Sequence, residues 1–135
     1  MKIERDGKIA TREIEDIRGS VGWDQNLGRY KKAMKQTHSW YTIRQMNKLI
    51  AFARVVSDGS IYSFIVDLNV RPEFQNKSIG KRLMRHIVRD LKKEGIRWVI
   101  LNWVSRDDHK LGPFYKKCGF DTKWLKAGVI RLHKY

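Results

Sequence analysis

The chain has 135 residues, of which 41% are hydrophobic, so it has the length and apolar content of one domain with a packed core. No run of residues approaches the roughly 18 apolar residues that a membrane-spanning helix needs. The first residues have no apolar stretch behind their charges, so we expect no signal peptide. The single cysteine, Cys118, has no partner for an internal disulfide, which indicates a reducing compartment. We therefore expect one cytoplasmic domain over residues 1–135, without a membrane attachment.

The composition is strongly basic: 29 Lys and Arg against 14 Asp and Glu give a formal net charge of +15. Such a surplus raises the local concentration of polyanions, whether nucleic acids or phosphorylated small molecules. A protein whose positive surface only keeps its copies apart in solution, without an anionic partner, can have the same composition. Because net charge speaks to association and not to mechanism, a nucleic-acid partner is compatible with this charge but is not the favoured interpretation.

Two helices are predicted before residue 40. Within residues 11–21, Ile14 and Ile17 recur at helical spacing and Glu13 favours a helix start. Residues 26–37 show a second amphipathic pattern.

A run of β-branched and aromatic residues follows. It predicts strands over residues 40–45, 49–56 and 61–70, separated by short turn signals. Two successive hairpins give a three-stranded antiparallel meander. The third strand ends before Pro72, because proline cannot continue a central ladder.

Residues 78–93 are predicted as a helix, since apolar side chains recur every four residues and Gly95 is a natural stop. Residues 96–101 form a short apolar strand of the kind that is buried on both faces. Because a helix crosses between this strand and the strand over residues 61–70, the two should be parallel.

The last part of the chain is predicted to hold a short helix over residues 113–118, with Pro113 in its first turn, and a closing pair of strands. The two strands span residues 120–125 and 129–133. The whole pattern predicts an α+β fold: a mixed, mostly antiparallel central sheet with helices on both faces.

The junction after the third strand is a candidate phosphate site. A polar loop leads there into a helix whose first N–H groups are unpaired and carry partial positive charge. Lys77 and Lys81 add positive charge, and Gly80 lets a ligand approach the backbone closely. A basic helix start with one glycine is also common in plain structure, so these residues alone leave both interpretations open.

The same stretch resembles the acetyl-CoA-binding motif of the GNAT superfamily of N-acetyltransferases, where a strand of the form D-x-x-V-x-P precedes Q/R-x-x-G-x-G/A at a helix start. The residues that match in order and spacing are Asp67, Val70, Pro72, Gln75 and Gly80. Residues 113–120 are similar to the family's F-Y-x-x-x-G-F signature, and residues 21–23 and 49–59 to the N-terminal half of small bacterial members. The resemblance covers most of the chain. It implies a GNAT-like fold and an acetyl-CoA-dependent N-acetyltransferase.

The resemblance also implies a place for the cofactor. The backbone N–H groups of Leu68 and Val70 would bind the acetyl carbonyl and the pantetheine arm, and Asn69 between them is a further predicted cofactor-binding residue. The pyrophosphate would lie against Gln75, Asn76, Lys77, Ser78, Ile79, Gly80 and Lys81. Asn102 could meet the pantetheine arm, although an asparagine after a strand is ordinarily turn chemistry.

Ser78 stands where the family usually has a glycine. If this position requires a positive φ, a serine is strained there and cofactor affinity suffers. If it has ordinary helix-start dihedrals, serine is well suited, and its hydroxyl caps the helix or touches a phosphate.

Acyl transfer from a thioester to an amine needs a neutral amine, a stabilised oxyanion and a proton for the departing sulfur. A lysine-like amine with a pKa of about 10.4 needs about 4.6 kcal/mol to be neutral at pH 7, and a nearby base offsets part of this. Asp67 is the candidate base; alternatively, it only orders its strand and neighbours. The resemblance implies Tyr115 as the general acid; alternatively, it is a packed aromatic residue.

The acceptor amine is not identified by the sequence. Trp23, Trp40 and Tyr41 fall where the resembling family builds its acceptor site, but they suit a core equally well. The histidines show no metal-ligand spacing, so we expect no metal. Homodimers are common in the family, so one is compatible with the resemblance. Two alternative functions remain: a basic module that binds nucleic acid or the ribosome, and a coenzyme A sensor without catalysis.

Overall fold

The computed structural model describes residues 1–133. The elements are, in chain order, β1 (Ile3–Arg5), α1 (Thr11–Ser20), α2 (Tyr30–Lys35), β2 (Ser39–Gln45), β3 (Lys48–Ser57), β4 (Tyr62–Val70), α3 (Ile79–Lys93), β5 (Trp98–Ile100) and α4 (Asp108–Lys117). The chain divides into two compact units, the first over Met1–Leu101 and the second beginning at Asn102. The single domain expected from the sequence stays a prediction. Within residues 1–133, no helix has the length and apolar content to cross a membrane.

The first unit contains one sheet of five strands in the order β1-β2-β3-β4-β5. The first three pairs of neighbours are antiparallel, and β4 and β5 are parallel. This mixed, mostly antiparallel sheet confirms the predicted α+β fold.

Helices cover both faces of the sheet. On one face, Phe52 of β3 packs in a buried cluster with Ile14 and Ile17 of α1. On the other face, Tyr41 of β2 lies opposite Ala53, the next residue of β3, and its hydroxyl donates to Asp90 of α3 over 3.0 Å. Because successive residues of a strand point to opposite faces, α1 and α3 lie on opposite sides of the sheet.

Helix α3 is amphipathic, as its apolar spacing predicts. One side of it is buried through Ile79, Leu83, Met84, Ile87 and Leu91. These side chains remove a large apolar area from water, which holds the helix on the sheet and fixes the place where it begins.

Strands β4 and β5 are paired over a short distance only. Their register runs from Tyr62 opposite Trp98 to Phe64 opposite Ile100, whereas β4 continues to Val70. Along the rest of β4, no strand of residues 1–133 pairs with the edge that faces β5. This part of the edge is therefore left without a paired strand.

Several boundaries differ from those predicted. The strand at Ile3–Arg5 was not predicted, because three residues are too few to show a period. Helix α2 begins at Tyr30 instead of residue 26, since Asn26 and Gly28 have positive φ angles of 54° and 77°. Helix α4 begins at Asp108, so Pro113 lies inside it.

The predicted closing strands are wrong. Residues 118–133 form no strand, and the apolar side chains of Trp124, Leu125, Val129, Ile130 and Leu132 are exposed, that of Val129 to 95%. A strand pair without an apolar surface to cover it is only marginally stable, so β propensity alone did not decide this segment.

Candidate active site

A β-bulge at Asp67 shapes the end of β4. Phe52 lies opposite Asn69 and Arg54 opposite Val66, so two residues of β4, Asp67 and Leu68, face one residue of β3. Asp67 has a φ of 58°, in the left-handed region. Such bulges bend a strand and turn its following residues toward a new direction.

Past the bulge, β4 presents backbone groups to its open edge. The N–H of Arg71 donates to the carbonyl of Ile50 on β3 over 2.9 Å. Because adjacent residues of a strand alternate their hydrogen-bonding direction, the groups of Val70 point away from β3. The side chain of Gln75 donates to the Val70 carbonyl over 2.9 Å, which agrees with this direction. The N–H of Val70 therefore lies on the open edge, whereas Leu68 belongs to the bulge, where the alternation is interrupted.

The side chain of Asn69, in contrast, is buried. Its Nδ2 donates to the carbonyl of Asp67 over 3.1 Å, and its Oδ1 has no hydrogen-bond partner within the described chain. The backbone of Asn69 faces β3 by the alternation that places Val70 on the edge. Of the β4 residues predicted to bind cofactor, Val70 therefore lies on the open edge and Asn69 does not.

The loop between β4 and α3 is tightly turned. A 3₁₀ turn at Pro72–Phe74 leads to Asn76 and Ser78, which have φ angles of 61° and 63°, and α3 then begins at Ile79. The first N–H groups of α3 have no partners within the helix. These donors and the positive end of the helix suit a phosphate group.

Ser78 is the cap residue of α3, but its side chain makes no capping hydrogen bond. Its φ of 63° and ψ of 11° belong to the left-handed region, so the backbone has the positive φ of the first interpretation, and the loss of cofactor affinity stays a prediction. A residue with a Cβ costs roughly 1–2 kcal/mol in that region, and glycine does not. The loop therefore keeps the backbone shape that a glycine would adopt freely.

An open groove of about 400 Å³ lies at the start of α3. It brings together most of the predicted phosphate loop and adds arginines that follow at helical spacing. Its lining residues are Lys77, Ser78, Ile79, Lys81, Arg82, Arg85 and Arg89. The groove thus combines unpaired backbone donors with a strongly positive field.

The carboxylate of Asp67 is bound by three side chains. Arg18 of α1 contacts Oδ1 at 2.5 Å, Arg54 of β3 contacts Oδ2 at 2.6 Å, and the Tyr30 hydroxyl donates to Oδ1 over 2.9 Å. Burial, and then the negative charge of Asp67, raise the pKa of Tyr30 to about 12, so this hydroxyl remains a donor at neutral pH. Because both oxygens already accept charged hydrogen bonds, this geometry favours the ordering role of Asp67 over the role of a base.

Sequence reasoning did not find Arg18, Arg54 and Tyr30 as partners of Asp67. They lie 49, 13 and 37 residues from Asp67 along the chain. No regular spacing in the sequence indicates that residues so far apart lie in contact.

The segment between α1 and α2 is fixed by side chains of α1. Arg18 donates from Nε to the carbonyl of Asp24 over 2.6 Å, and Glu15 accepts from the N–H of Gly28 over 2.9 Å. Trp23 lies against the Arg18 guanidinium at 5.2 Å and remains 41% exposed, and Leu27 is 72% exposed. An ordered segment thus presents apolar side chains to solvent.

The other two aromatic candidates for an acceptor site are placed differently. Tyr41 is fully buried and bound to Asp90, so it belongs to the core. Trp40 is packed against the α1 cluster, and its indole N–H donates to the carbonyl of Gly7 over 2.7 Å. Only Trp23 of the three is substantially exposed.

In the second unit, Tyr115 is buried among aromatic rings. Trp103 stacks on it at 5.2 Å, and Phe114 and Phe120 make edge contacts at 5.0 and 6.2 Å. Burial, with a further contribution from Cys118, raises the pKa of Tyr115 to about 12. The phenol is therefore held in its protonated form. Asn102, the first residue of this unit, is exposed.

The part of the chain that the structure describes contains no group of three or more His, Cys, Asp or Glu side chains able to hold a metal ion.

Comparison with known proteins gives three concordant results. A family model described as the acetyltransferase (GNAT) family matches residues 9–120. An uncharacterized N-acetyltransferase, ycf52-like, of Prochlorococcus marinus is 35% identical over 120 residues, which are 80% of this chain and 67% of that protein. The chain spans about two thirds of the length of the curated relatives that it matches.

Solved structures share the fold. A GNAT family acetyltransferase from Streptococcus pneumoniae has a TM-score of 0.80 at 21% identity, covering 99% of this chain and 98% of its own. A Bacillus subtilis acetyltransferase in complex with CoA has a TM-score of 0.71 at 22% identity, covering 87% of this chain and 74% of its own.

Replacing Ser78 by glycine should stabilise the protein. We expect Ser78→Gly to raise the free energy of unfolding by about 0.5–1 kcal/mol, because it removes the left-handed strain but adds freedom to the unfolded chain. Ser78→Ala is the matched control: it also removes the hydroxyl but keeps the Cβ, so it should give no gain. Denaturant unfolding of the three proteins measures the difference. An equal gain for alanine and glycine would contradict the strain.

Neutralising Asp67 should be far more harmful than neutralising a comparable exposed aspartate. Asp67→Asn leaves two guanidinium groups facing each other in a partly buried site, so the free energy of unfolding should fall by about 2–4 kcal/mol. Asp107 is the control, since it lies 3.9 Å from Arg106 and both side chains are exposed, 43% and 79%, whereas the side chain of Asp67 is 9% exposed. Asp107→Asn should cost less than about 1 kcal/mol. Equal losses in urea unfolding would remove the structural role of Asp67.

Proposed function

This chain belongs to the acetyltransferase (GNAT) family, and from that premise we propose that it transfers an acetyl group from acetyl-CoA to an amine. The resemblance found in its motifs is thereby confirmed. One observation carries the proposal for this chain: the open edge of β4 leads, through a loop of cofactor-motif residues, into a helix start with a cationic groove. A thioester with a phosphorylated tail fits that sequence of features.

The reaction forms a carbon–nitrogen bond, breaks a carbon–sulfur bond and moves one proton. The amine nitrogen attacks the thioester carbonyl, the carbon–sulfur bond breaks, the nitrogen loses a proton and the sulfur gains one. We assign the acetyl carbonyl and pantetheine arm to the backbone of Leu68 and Val70, because N–H donors placed at the developing oxyanion stabilise it without reorganisation. The alternation of β4 that directs the N–H of Val70 to the open edge supports this assignment.

The phosphates are assigned to the loop and to the start of α3. Asn76 and Ser78 give the loop its two left-handed turns, and the N–H groups of Ile79, Gly80 and Lys81 begin the helix. Lys77 and Lys81 line the same groove and add the charge that a pyrophosphate requires. The side chain of Gln75 is engaged with the Val70 carbonyl, so it holds the end of the strand against the loop.

We assign Tyr115 as the general acid from its place in the F-Y-x-x-x-G-F motif. Its raised pKa of about 12 supports the role, since an acid must be protonated before the reaction. Asn102 is retained as a candidate contact to the pantetheine arm. The acceptor amine is assigned to the segment between α1 and α2, where Trp23 and Leu27 offer apolar surface to an alkyl or aryl amine.

Acetyl-CoA should stabilise the folded protein. At about 100 times the dissociation constant, a ligand adds about 2.7 kcal/mol to the free energy of unfolding, so the melting temperature should rise visibly and still do so at moderate salt. Lys77→Gln with Lys81→Gln should reduce the shift. The matched control is Lys31→Gln with Lys32→Gln, which removes the same charge from the exposed side of α2. No shift at millimolar acetyl-CoA would refute cofactor binding.

Tyr115→Phe should separate catalysis from binding. We expect kcat to fall by about 100-fold, because the sulfur must then leave without a positioned acid, while the dissociation constant of acetyl-CoA stays within about twofold. Tyr62→Phe, at an exposed tyrosine of β4, is the control and should retain full turnover. The measurement is acetyl transfer to a panel of amines, after thermal unfolding has shown that both variants are folded. Unchanged kcat in Tyr115→Phe would remove the acid role.

A further inference from the structure

The solvent-facing side of α3 carries a continuous row of positive charge. We call it the outer face of α3; its members are Arg82, Arg85, Arg89, Lys92 and Lys93. All five are exposed, and among residues 1–133 none of them forms an ion pair with a carboxylate. With a rise of 1.5 Å per residue, the row is about 16 Å long.

The acidic residues at this end of α3 do not neutralise the row, because they are turned toward β1 and β2. Asp90 accepts from Tyr41 over 3.0 Å and lies 3.5 Å from Arg5. Glu94, directly after the helix, contacts Arg5 at 3.3 Å and His38 at 3.0 Å. The carboxylates are thus used to fix the helix on the sheet, and the outer face keeps its full charge.

The far end of the row lies beyond the assigned phosphate site. Arg89 is ten residues after Ile79, so it is about 15 Å along the helix from the first N–H groups. Lys92 and Lys93 are further still. Arg82, Arg85 and Arg89 also line the groove at the helix start, but Lys92 and Lys93 do not, so that groove does not account for the whole row.

The chemistry of the face decides between classes of partner. Helix α3 contains no Trp, Tyr or Phe, and its larger apolar side chains are buried or partly buried. A protein partner is held by apolar and aromatic anchors at the centre of an interface, and a single-stranded nucleic acid by aromatic stacking. A membrane surface would be held by apolar side chains that insert between lipids. A duplex backbone needs cations alone, at spacings of a few ångströms.

We propose that the outer face of α3 binds the phosphate backbone of a nucleic-acid duplex, without reading its sequence. The five side chains carry hydrogen-bond donors only, which suits the acceptor oxygens of phosphates. This inference does not rest on the proposed acetyl transfer.

The test is the salt dependence of binding. Binding of the full chain to a labelled DNA duplex and to a labelled RNA duplex is measured by fluorescence anisotropy at several salt concentrations. With five cations on phosphates, a plot of the logarithm of the association constant against the logarithm of the salt concentration should have a slope of about −4.5. The association constant should then fall about 500-fold between 50 and 200 mM salt. The variant Arg89→Gln, Lys92→Gln, Lys93→Gln should have a slope of about −1.8 and lose only about 12-fold over that range.

The matched control is Lys31→Gln, Lys32→Gln, Lys35→Gln, which removes three exposed charges from α2 and leaves the same net charge. It should keep the wild-type slope, and both variants should melt at the wild-type temperature because the changed side chains are exposed. Equal slopes for the two variants would overturn the proposal, since net charge would then explain the binding. Tighter binding of poly-glutamate than of either duplex would also overturn it.

Discussion

The arrangement of the first unit depends on the hydrogen bonds and ion pairs that the carboxylate of Asp67 accepts. This carboxylate stands at the bulge of β4 and joins that strand to α1 through Arg18, to β3 through Arg54 and to α2 through Tyr30. A left-handed φ at a residue with a Cβ is unfavourable, and three charged or polar contacts offset that cost. They hold the bulge, the bulge directs the end of β4, and the loop to α3 begins there.

Helix α3 then serves three purposes on three surfaces. Its apolar side is buried on the sheet, its first turn faces the loop of cofactor-motif residues, and its solvent side carries the row of cations. Like charges at helical spacing repel by only a few tenths of a kcal/mol per pair, and those in the last turn are favoured by the helix dipole. Five buried apolar side chains outweigh this repulsion, so the charge of the outer face does not limit the stability of the helix.

The sequence predicted those parts of the molecule whose signal is local. The meander, the crossover helix and the parallel β4–β5 pair follow from alternation, apolar spacing and element order, and the structure confirms them. The backbone conformation of Ser78 could not be predicted, because a serine before a helix is ordinarily a cap with a negative φ. Only the structure shows its φ of 63°. The partners of Asp67 were invisible, since long-range contacts leave no spacing. The prediction of strands over residues 120–125 and 129–133 is wrong, because β propensity alone does not provide an apolar surface for a strand pair to pack against.

The anchors of the segment between α1 and α2 determine how its exposed surface can change during evolution. Its anchors are the side chains of Glu15 and Arg18, which lie in α1 and bind main-chain atoms of Gly28 and Asp24. Because backbone atoms are the same for every amino acid, substitutions at the exposed positions of Trp23 and Leu27 leave these anchors intact. The shape of the segment is thus inherited separately from the side chains that it displays. Single replacements at these two positions can therefore change the surface that the segment displays without first rebuilding the fold.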